Sequence, residues 1–303
     1  MRFPFTGVIP VDKPGGVSSR GVVDAVARGL RMKAVGHAGT LDPLASGVVV
    51  VCVGHATKLV EHVHELPKSY RATFLLGRSS PSDDLETPVD EEADPVRPTA
   101  GALAAAADAF RGDILQRPCD YSAVHVGGQR AYRLARKGRP VVLEPKPVRV
   151  DRFEITAYDW PRLDVEIECS SGTFVRALGR DLAAALGTRA VMAALVRTAV
   201  GPFSLSAATP LDAIDTATLA ARLLPAVAAV GHLPRHVFDD AALADAVRGG
   251  LVTLEPPAAA AAAVAALDTG GELVGILRRL GEPGGDRVRT GTHRLRPNFR
   301  GEG

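Results

Sequence analysis

The chain has 303 residues, 46% hydrophobic and 23% charged, with 36 Lys/Arg against 34 Asp/Glu for a net charge of +2. That is ordinary globular composition at a length that suits one large domain plus a small one. It excludes a membrane span, because no run approaches the roughly 18 apolar residues one needs.

The three cysteines, Cys52, Cys119 and Cys169, are far apart and form no CxxC pair. A disulfide framework or zinc ribbon is therefore not expected, and a reducing, cytoplasmic setting is. The apolar stretch after Arg2 is cut short by Pro10, Asp12 and Lys13, so no signal-peptide core is expected. Charge is uneven along the chain. Residues 1–80 carry 10 bases against 5 acids, and residues 95–152 carry 11 against 5. Residues 81–94 carry seven acids and no base. A polyanion partner on the first half would suit that excess, as would a normal surface with one acidic loop.

In chain order, Val8 to Val11 read as a strand, Gly15-Gly16 as a turn, and Ser18 or Ser19 as the cap of a helix. Val22, Val23, Val26, Ala27 and Leu30 share one face of that helix. Val48 to Val53 form a β-prone run apolar on both faces, ended by Gly54. Tyr70 to Leu76 read as another strand, 79–98 as a solvated loop, and Thr99 to Phe110 as an Ala-rich helix. Residues 116–146 are irregular and basic, the pattern of a long functional loop with a short helix. Leu163, Val165, Ile167 and Cys169 alternate with acids, as in a half-buried strand. Phe174, Leu178, Leu182 and Leu186 recur every four residues, predicting a helix just after Gly172-Thr173. Beyond residue 233, residues 239–249 read as a helix. An Ala tract and the turn Asp268-Thr269-Gly270-Gly271 then lead into the apolar run from Leu273 to Leu277. A small β-rich C-terminal domain is the expectation.

The densest cluster of special residues is His37-Ala38-Gly39-Thr40-Leu41-Asp42-Pro43-Leu44-Ala45-Ser46-Gly47, directly before the Val48 strand. Asp before Pro is most often turn chemistry. Here Gly39 and Gly47 bracket it and Pro43 holds Asp42 extended, so the loop can fix one carboxylate rigidly at a sheet edge. This segment resembles the signature of the TruB family of bacterial tRNA pseudouridine synthases. Four more landmarks follow the family's order. They are Asp12-Lys13-Pro14-Gly15-Gly16-Val17-Ser18-Ser19, Lys68-Ser69-Tyr70-Arg71-Ala72, the region from Phe110 to Arg136, and Cys169-Ser170-Ser171-Gly172-Thr173-Phe174-Val175-Arg176.

The resemblance implies a mixed α/β (α+β) fold, with a central, largely antiparallel sheet flanked by helices. It implies a catalytic domain over 1–232, in which 116–146 is an RNA-clamping insertion, and a PUA-like domain over 233–303. The implied reaction turns the T-loop uridine of tRNA (position 55) into pseudouridine, with no cofactor or metal, no obligate protein partner, no membrane and a monomeric enzyme. The sequence shows no metal-ligand motif and no P-loop. Carried over residue by residue, Asp42 is the catalytic aspartate, Arg176 its paired arginine and Tyr70 the ring that stacks on the flipped uracil. His37 contacts the T loop, and Lys13, Phe174 and Leu195 line or buttress the pocket.

Three departures stand out. Phe174 replaces the family's usual tyrosine. Leu195-Val196-Arg197-Thr198 lacks its double arginine. The C-terminal region resembles a PUA domain only loosely, with Arg287, Arg289, Arg294, Arg296 and Arg300 as a basic end. Three other readings are a guide-RNA-dependent synthase, an RNA chaperone without catalysis, and a glycosidase, which would need a second carboxylate in partnership.

Overall fold

The computed structural model describes residues 3–139, 141–280 and 292–298. Its centre is a ten-stranded mixed sheet. The strands along its main path are β1 (Gly7–Lys13), β2 (Ser46–Val53), β3 (Lys68–Leu76), β4 (Gly112–Gln116), β5 (Lys146–Asp159), β6 (Arg162–Cys169), β7 (Ala190–Val200) and β8 (Thr209–Pro210). Their spatial order is β8-β1-β2-β7-β3-β6-β5-β4, with Val35–His37 paired to β2 and Phe203–Ser204 to β7. Pairing is antiparallel except β8 with β1 and β2 with β7.

From Gly47 to Val53 every residue of β2 is buried, as a strand covered on both faces requires. Val49, Val51 and Val53 face one core, with helices α1 (Ser19–Leu30), α2 (Ala100–Asp108) and α3 (Val175–Ala185) packed over it. Val48, Val50 and Cys52 face a second core, built with Leu59 and Val63 of the segment 54–65 and with Ala229 and Val230. Helix α1 starts where Ser18 accepts a hydrogen bond from the Gly21 amide, and it buries Val22, Val23, Val26 and Leu30. Ala27, expected on the same face, is half-buried. Helix α3 lies close on β3 because residue 179 is glycine: a Cβ there would sit 2.1 Å from the Phe74 ring.

A five-stranded sheet follows, β9 (Arg235–Val237), β10 (Val252–Thr253), β11 (Ala263–Leu267), β12 (Leu273–Arg279) and β13 (Thr292–Asn298), in the order β9-β11-β12-β13-β10. Asp268 holds the β11–β12 turn by accepting from the amides of Gly270 and Glu272. One face of this sheet packs on helix α4 (Asp240–Val247) through Val264, Ala266, Val274 and Leu277. The other, with Ala265, Leu267, Leu273 and Ile276, joins the second core of the large sheet. Of the basic C-terminal arginines, Arg294 and Arg296 fall on β13, while Arg287, Arg289 and Arg300 lie outside the described residues.

Among the segments that differ from the sequence reading, three bear on the site and the sheet that carries it. The 79–98 loop is not simply solvated, because Ser82 and Asp84 are buried. Strand β5 was unread because Pro147 and many exposed positions obscure its alternation. Strand β7 was unread because its Ala-rich apolar run suits helix and strand alike.

Candidate active site

Sheet order and register bring the separate motifs together. β2, β7, β3 and β6 are neighbours: β2 immediately follows the Asp42 loop, β7 carries Arg197, β3 carries Tyr70, and β6 leads into the Ser170–Arg176 segment. Tyr70 pairs across the ladder with Arg197 on one side and Ile167 on the other. Arg197 pairs in parallel with Gly47. Gly47 is obligatory at that crossing: its φ is +104°, and a Cβ would lie 2.2 Å from the Arg197 carbonyl oxygen.

The Asp42 loop is fastened from three directions. Ser19 Oγ accepts from the Leu41 amide at 2.8 Å and donates to the Leu41 carbonyl at 3.1 Å. The Lys13 ammonium donates to the carbonyls of Val17 (2.7 Å), Pro43 (3.4 Å) and Ala45. The Arg197 guanidinium, almost wholly buried, donates to the carbonyls of Val48 (2.7 Å), Gly39 and Thr40 (both 3.2 Å). Two buried cations thus tie together carbonyls of the loop and of the start of β2. Burial lowers the pKa of Lys13 first, the nearby Arg197 lowers it further, and Asp42 acts in the opposite sense.

Arg176, at the start of α3, is the electrostatic hub. Its Nε stands 3.1 Å from Asp42 Oδ2, and its Nη1 3.2 Å from Oδ2 of the buried Asp84. It also donates to the carbonyls of Ser82 (2.7 Å) and Tyr121 (3.0 Å). Burial opposes its charge, but Asp42 and the other anionic neighbours outweigh it and hold the guanidinium above its ordinary pKa. The Asp42 side chain is 35% exposed, so one carboxylate is presented to solvent beside a locked cation. Gln116 fixes the start of the helix, with its amide oxygen accepting from Phe174 N (2.8 Å) and its amide nitrogen donating to Phe174 O (3.1 Å).

These groups surround a cavity of about 610 Å³ lined by Asp42, Tyr70, Arg176, His37, Phe174 and Leu195, so six of the seven expected residues share one wall system. Lys13 is the exception: it is buried behind the loop, where its ammonium is consumed by carbonyls, and it does not line the cavity. The insertion supplies Tyr121, Ser122, Ala123, Arg130, Tyr132 and Arg136, which form the outer wall. The Tyr132 ring is flanked by the guanidiniums of Arg133 and Arg136, 5.9 and 5.7 Å from its centroid. With Arg20 and Lys68 also on the wall, the cavity suits a phosphate-bearing ligand.

Burial pushes the Tyr70 phenol up, against an opposing effect of Arg197, so the ring keeps its proton at neutral pH. Burial, then Arg197, lowers His37, which leaves a neutral imidazole there. Sequence reading missed Asp84, Glu86, Lys68 and the buried role of Arg197. Lys68 opens a landmark already quoted, whereas the acid-rich text around Asp84 and Glu86 pointed to solvent.

Lys68 is buried on the cavity wall with its ammonium on the His64 carbonyl, and burial, then Arg197, pushes its pKa down to about 8. Between pH 8 and 10.5 the unfolded chain holds a proton there that the folded chain lacks, so this residue makes stability rise with pH in that window. The gain is complete above 10.5, falls away as pH drops through that window, and is gone below about 8. Lys68→Met is expected to flatten that rise and to stabilise the protein at pH 7 by roughly 2 kcal/mol. Urea melts of both proteins at pH 7.5, 8.5 and 9.5 check it, and parallel curves would contradict it.

A family model described as TruB family pseudouridylate synthase (N terminal domain) matches residues 27–175. The tRNA pseudouridine synthase B of Mycobacteroides abscessus is 42% identical over 277 residues, covering 89% of this chain and 91% of that protein. Its counterpart in Gluconacetobacter diazotrophicus is 44% identical over 239 residues, covering 76% and 77%. Among solved structures, an H/ACA RNP bound to a substrate RNA containing 2'-deoxyuridine superposes with a TM-score of 0.71 at 22% identity, covering 97% of this chain and 84% of that one. An archaeal box H/ACA sRNP Nop10-Cbf5 complex gives 0.68 at 25% identity, covering 91% and 80%.

The fold is that of the pseudouridine synthases, and the protein is an isomerase. The chain belongs to the TruB family of pseudouridylate synthases.

Proposed function

We propose that the chain converts uridine 55 in the T loop of tRNA to pseudouridine, with Asp42 as the catalytic carboxylate. The observation that carries the reading is the half-exposed Asp42 carboxylate held 3.1 Å from Arg176, with Tyr70 on the wall of the same cavity. The C1′–N1 bond breaks, the uracil turns, and a C1′–C5 bond forms. The C5 proton leaves and N1 gains one, so the atoms balance without a redox partner. Arg176 places its guanidinium against the Asp42 carboxylate and fixes its position for the step. Extracting the uridine from its stack costs a few kcal/mol, and stacking on an aromatic ring such as Tyr70 returns about 1–3 kcal/mol. His37, neutral, contacts the T loop by shape and hydrogen bonding, while Phe174 and Leu195 pack against the substrate. Lys13 acts through the loop that it holds.

The segment 1–232 is the catalytic domain, with 116–146 clamping the RNA. The segment 233–303 is a PUA-like module that reaches the acceptor stem. The enzyme works in the cytoplasm as a monomer without protein partners. Single-turnover conversion of an unmodified T-arm hairpin by the protein alone tests the proposal. Pseudouridine at position 55 supports it. Tight binding without product would overturn it, in favour of guide-dependent or chaperone action.

The wall at Phe174 carries no hydroxyl, so proton handling falls to Tyr70 and water. Phe174→Tyr is therefore expected to change the single-turnover rate by less than about tenfold, since a ring acting as acid or base would be worth about 100-fold or more. Rapid-quench kinetics on the hairpin decide between the two.

A further inference from the structure

Away from the cavity, His62, Glu65 and His232 each place one ligand atom within 4.8 Å of the others. His62 and Glu65 stand three apart on the short helix Val60–Glu65, a spacing that puts both on one face. His232 comes just after the turn Ala226–Val230, whose Val230 shares a core with Val63 of that helix.

His62 is 4% exposed, yet neither of its ring nitrogens has a hydrogen-bond partner. Glu61 Oε1 lies 3.8 Å from Nε2, beyond hydrogen-bond range, and is engaged by Arg278. A buried imidazole normally satisfies at least one nitrogen, and an unpartnered one beside a second imidazole and a carboxylate has a lone pair free to bind a metal ion. The His232 ring lies 6.5 Å from that of His62, tilted by 50°, and both it and Glu65 are exposed.

We propose that His62, Glu65 and His232 bind a transition-metal dication of the Zn²⁺ class, with water completing the shell. Two imidazoles and one carboxylate form a nitrogen-rich donor set that suits Zn²⁺ over Mg²⁺ or Ca²⁺. Ligand atoms on a tetrahedral zinc lie about 3.4 Å apart, given bonds of about 2.0–2.1 Å. The cluster therefore has to draw in by up to about 1.4 Å, which the exposed Glu65 and His232 achieve by rotation around a fixed His62. Glu61 adds negative charge nearby, and Arg278, the opposing cation, is held on Glu61.

None of the three residues lines the candidate active site, so the ion takes no part in isomerisation. It ties the helix that carries His64, a cavity residue, to the segment leading into the second sheet. This does not depend on the catalytic reading.

The test uses the full chain, stripped with a chelator. Zn²⁺ is titrated against a chromophoric chelator, and Co²⁺ is added separately to read its visible absorption. One equivalent of Zn²⁺, an intense tetrahedral Co²⁺ spectrum and a melting point raised by Zn²⁺ are expected. His232→Ala, at an exposed position, should lower Zn²⁺ affinity by about 100-fold or more and abolish the Co²⁺ bands, with the metal-free melting point unchanged. Glu65→Gln should weaken binding in the same direction. Absence of stoichiometric binding would overturn the proposal. So would binding that neither variant alters, which would place the ion elsewhere.

Discussion

Asp42→Asn is expected to reduce single-turnover pseudouridine formation by at least about 10⁴-fold while leaving T-arm affinity within a few-fold of wild type. Asparagine preserves the shape of the side chain but cannot supply an anion, and loss of one essential nucleophile or base costs on that order. The surroundings would not collapse around the change. Arg176 would keep Asp84 and the carbonyls of Ser82 and Tyr121, and the Leu41 backbone would remain clasped by Ser19. Binding should persist because affinity for RNA comes mainly from charge along the phosphates, and Arg20, Lys68, Arg130 and Arg136 are untouched. Rapid-quench kinetics paired with filter binding check both halves. A variant turning over within tenfold of wild type would remove Asp42 from the chemistry. A variant that fails to bind would instead show that the loop had lost its shape.

Arg197→Met should lower stability by roughly 3–5 kcal/mol and cut turnover sharply. Methionine fills a similar volume but leaves the carbonyls of Gly39, Thr40 and Val48 without donors, each orphaned acceptor costing about 1–3 kcal/mol. The Gly39–Thr40 backbone would then be free to drift, and a carboxylate displaced by 1 Å loses about 100-fold in rate. Arg197→Lys should rescue little, because the three carbonyls are met by three separate nitrogens of a planar fork, a spread that one compact ammonium does not reproduce. Urea unfolding and kinetics on the surviving folded fraction separate the two effects. A Met variant with wild-type stability and rate would show that Lys13 and Ser19 hold the loop unaided.

Much of this architecture was legible because local pattern and tertiary environment agree. The valines of β2, the α1 face and the alternating Leu163-Val165-Ile167-Cys169 row each occupy the surroundings that their periodicity demands. The Asp42 loop and Arg176 were legible for another reason: each sits in a compact run of unusual residues that resembles a known family. Asp84 was not legible, since nothing in an acidic stretch marks the one carboxylate that turns inward to meet Arg176. Arg197 was noted only for lacking a second arginine, because the carbonyls it serves are nearly 150 positions or more away in sequence. His62, Glu65 and His232 were invisible for the same reason. Their convergence depends on a helix of six residues and a turn that no local propensity would bring together.

The core shared between the two sheets bears on what deletion of the C-terminal segment would mean. Ala265, Leu267, Leu273 and Ile276 close over Val48, Val50, Ala229 and Val230 as the other half of one oily interior. A chain cut after residue 232 would expose that interior as a bare patch, the kind of surface through which proteins stick to one another. Weak RNA binding by such a fragment would report on its solubility before it reported on any contact with the acceptor stem. The second sheet is a lid on the interior of the first.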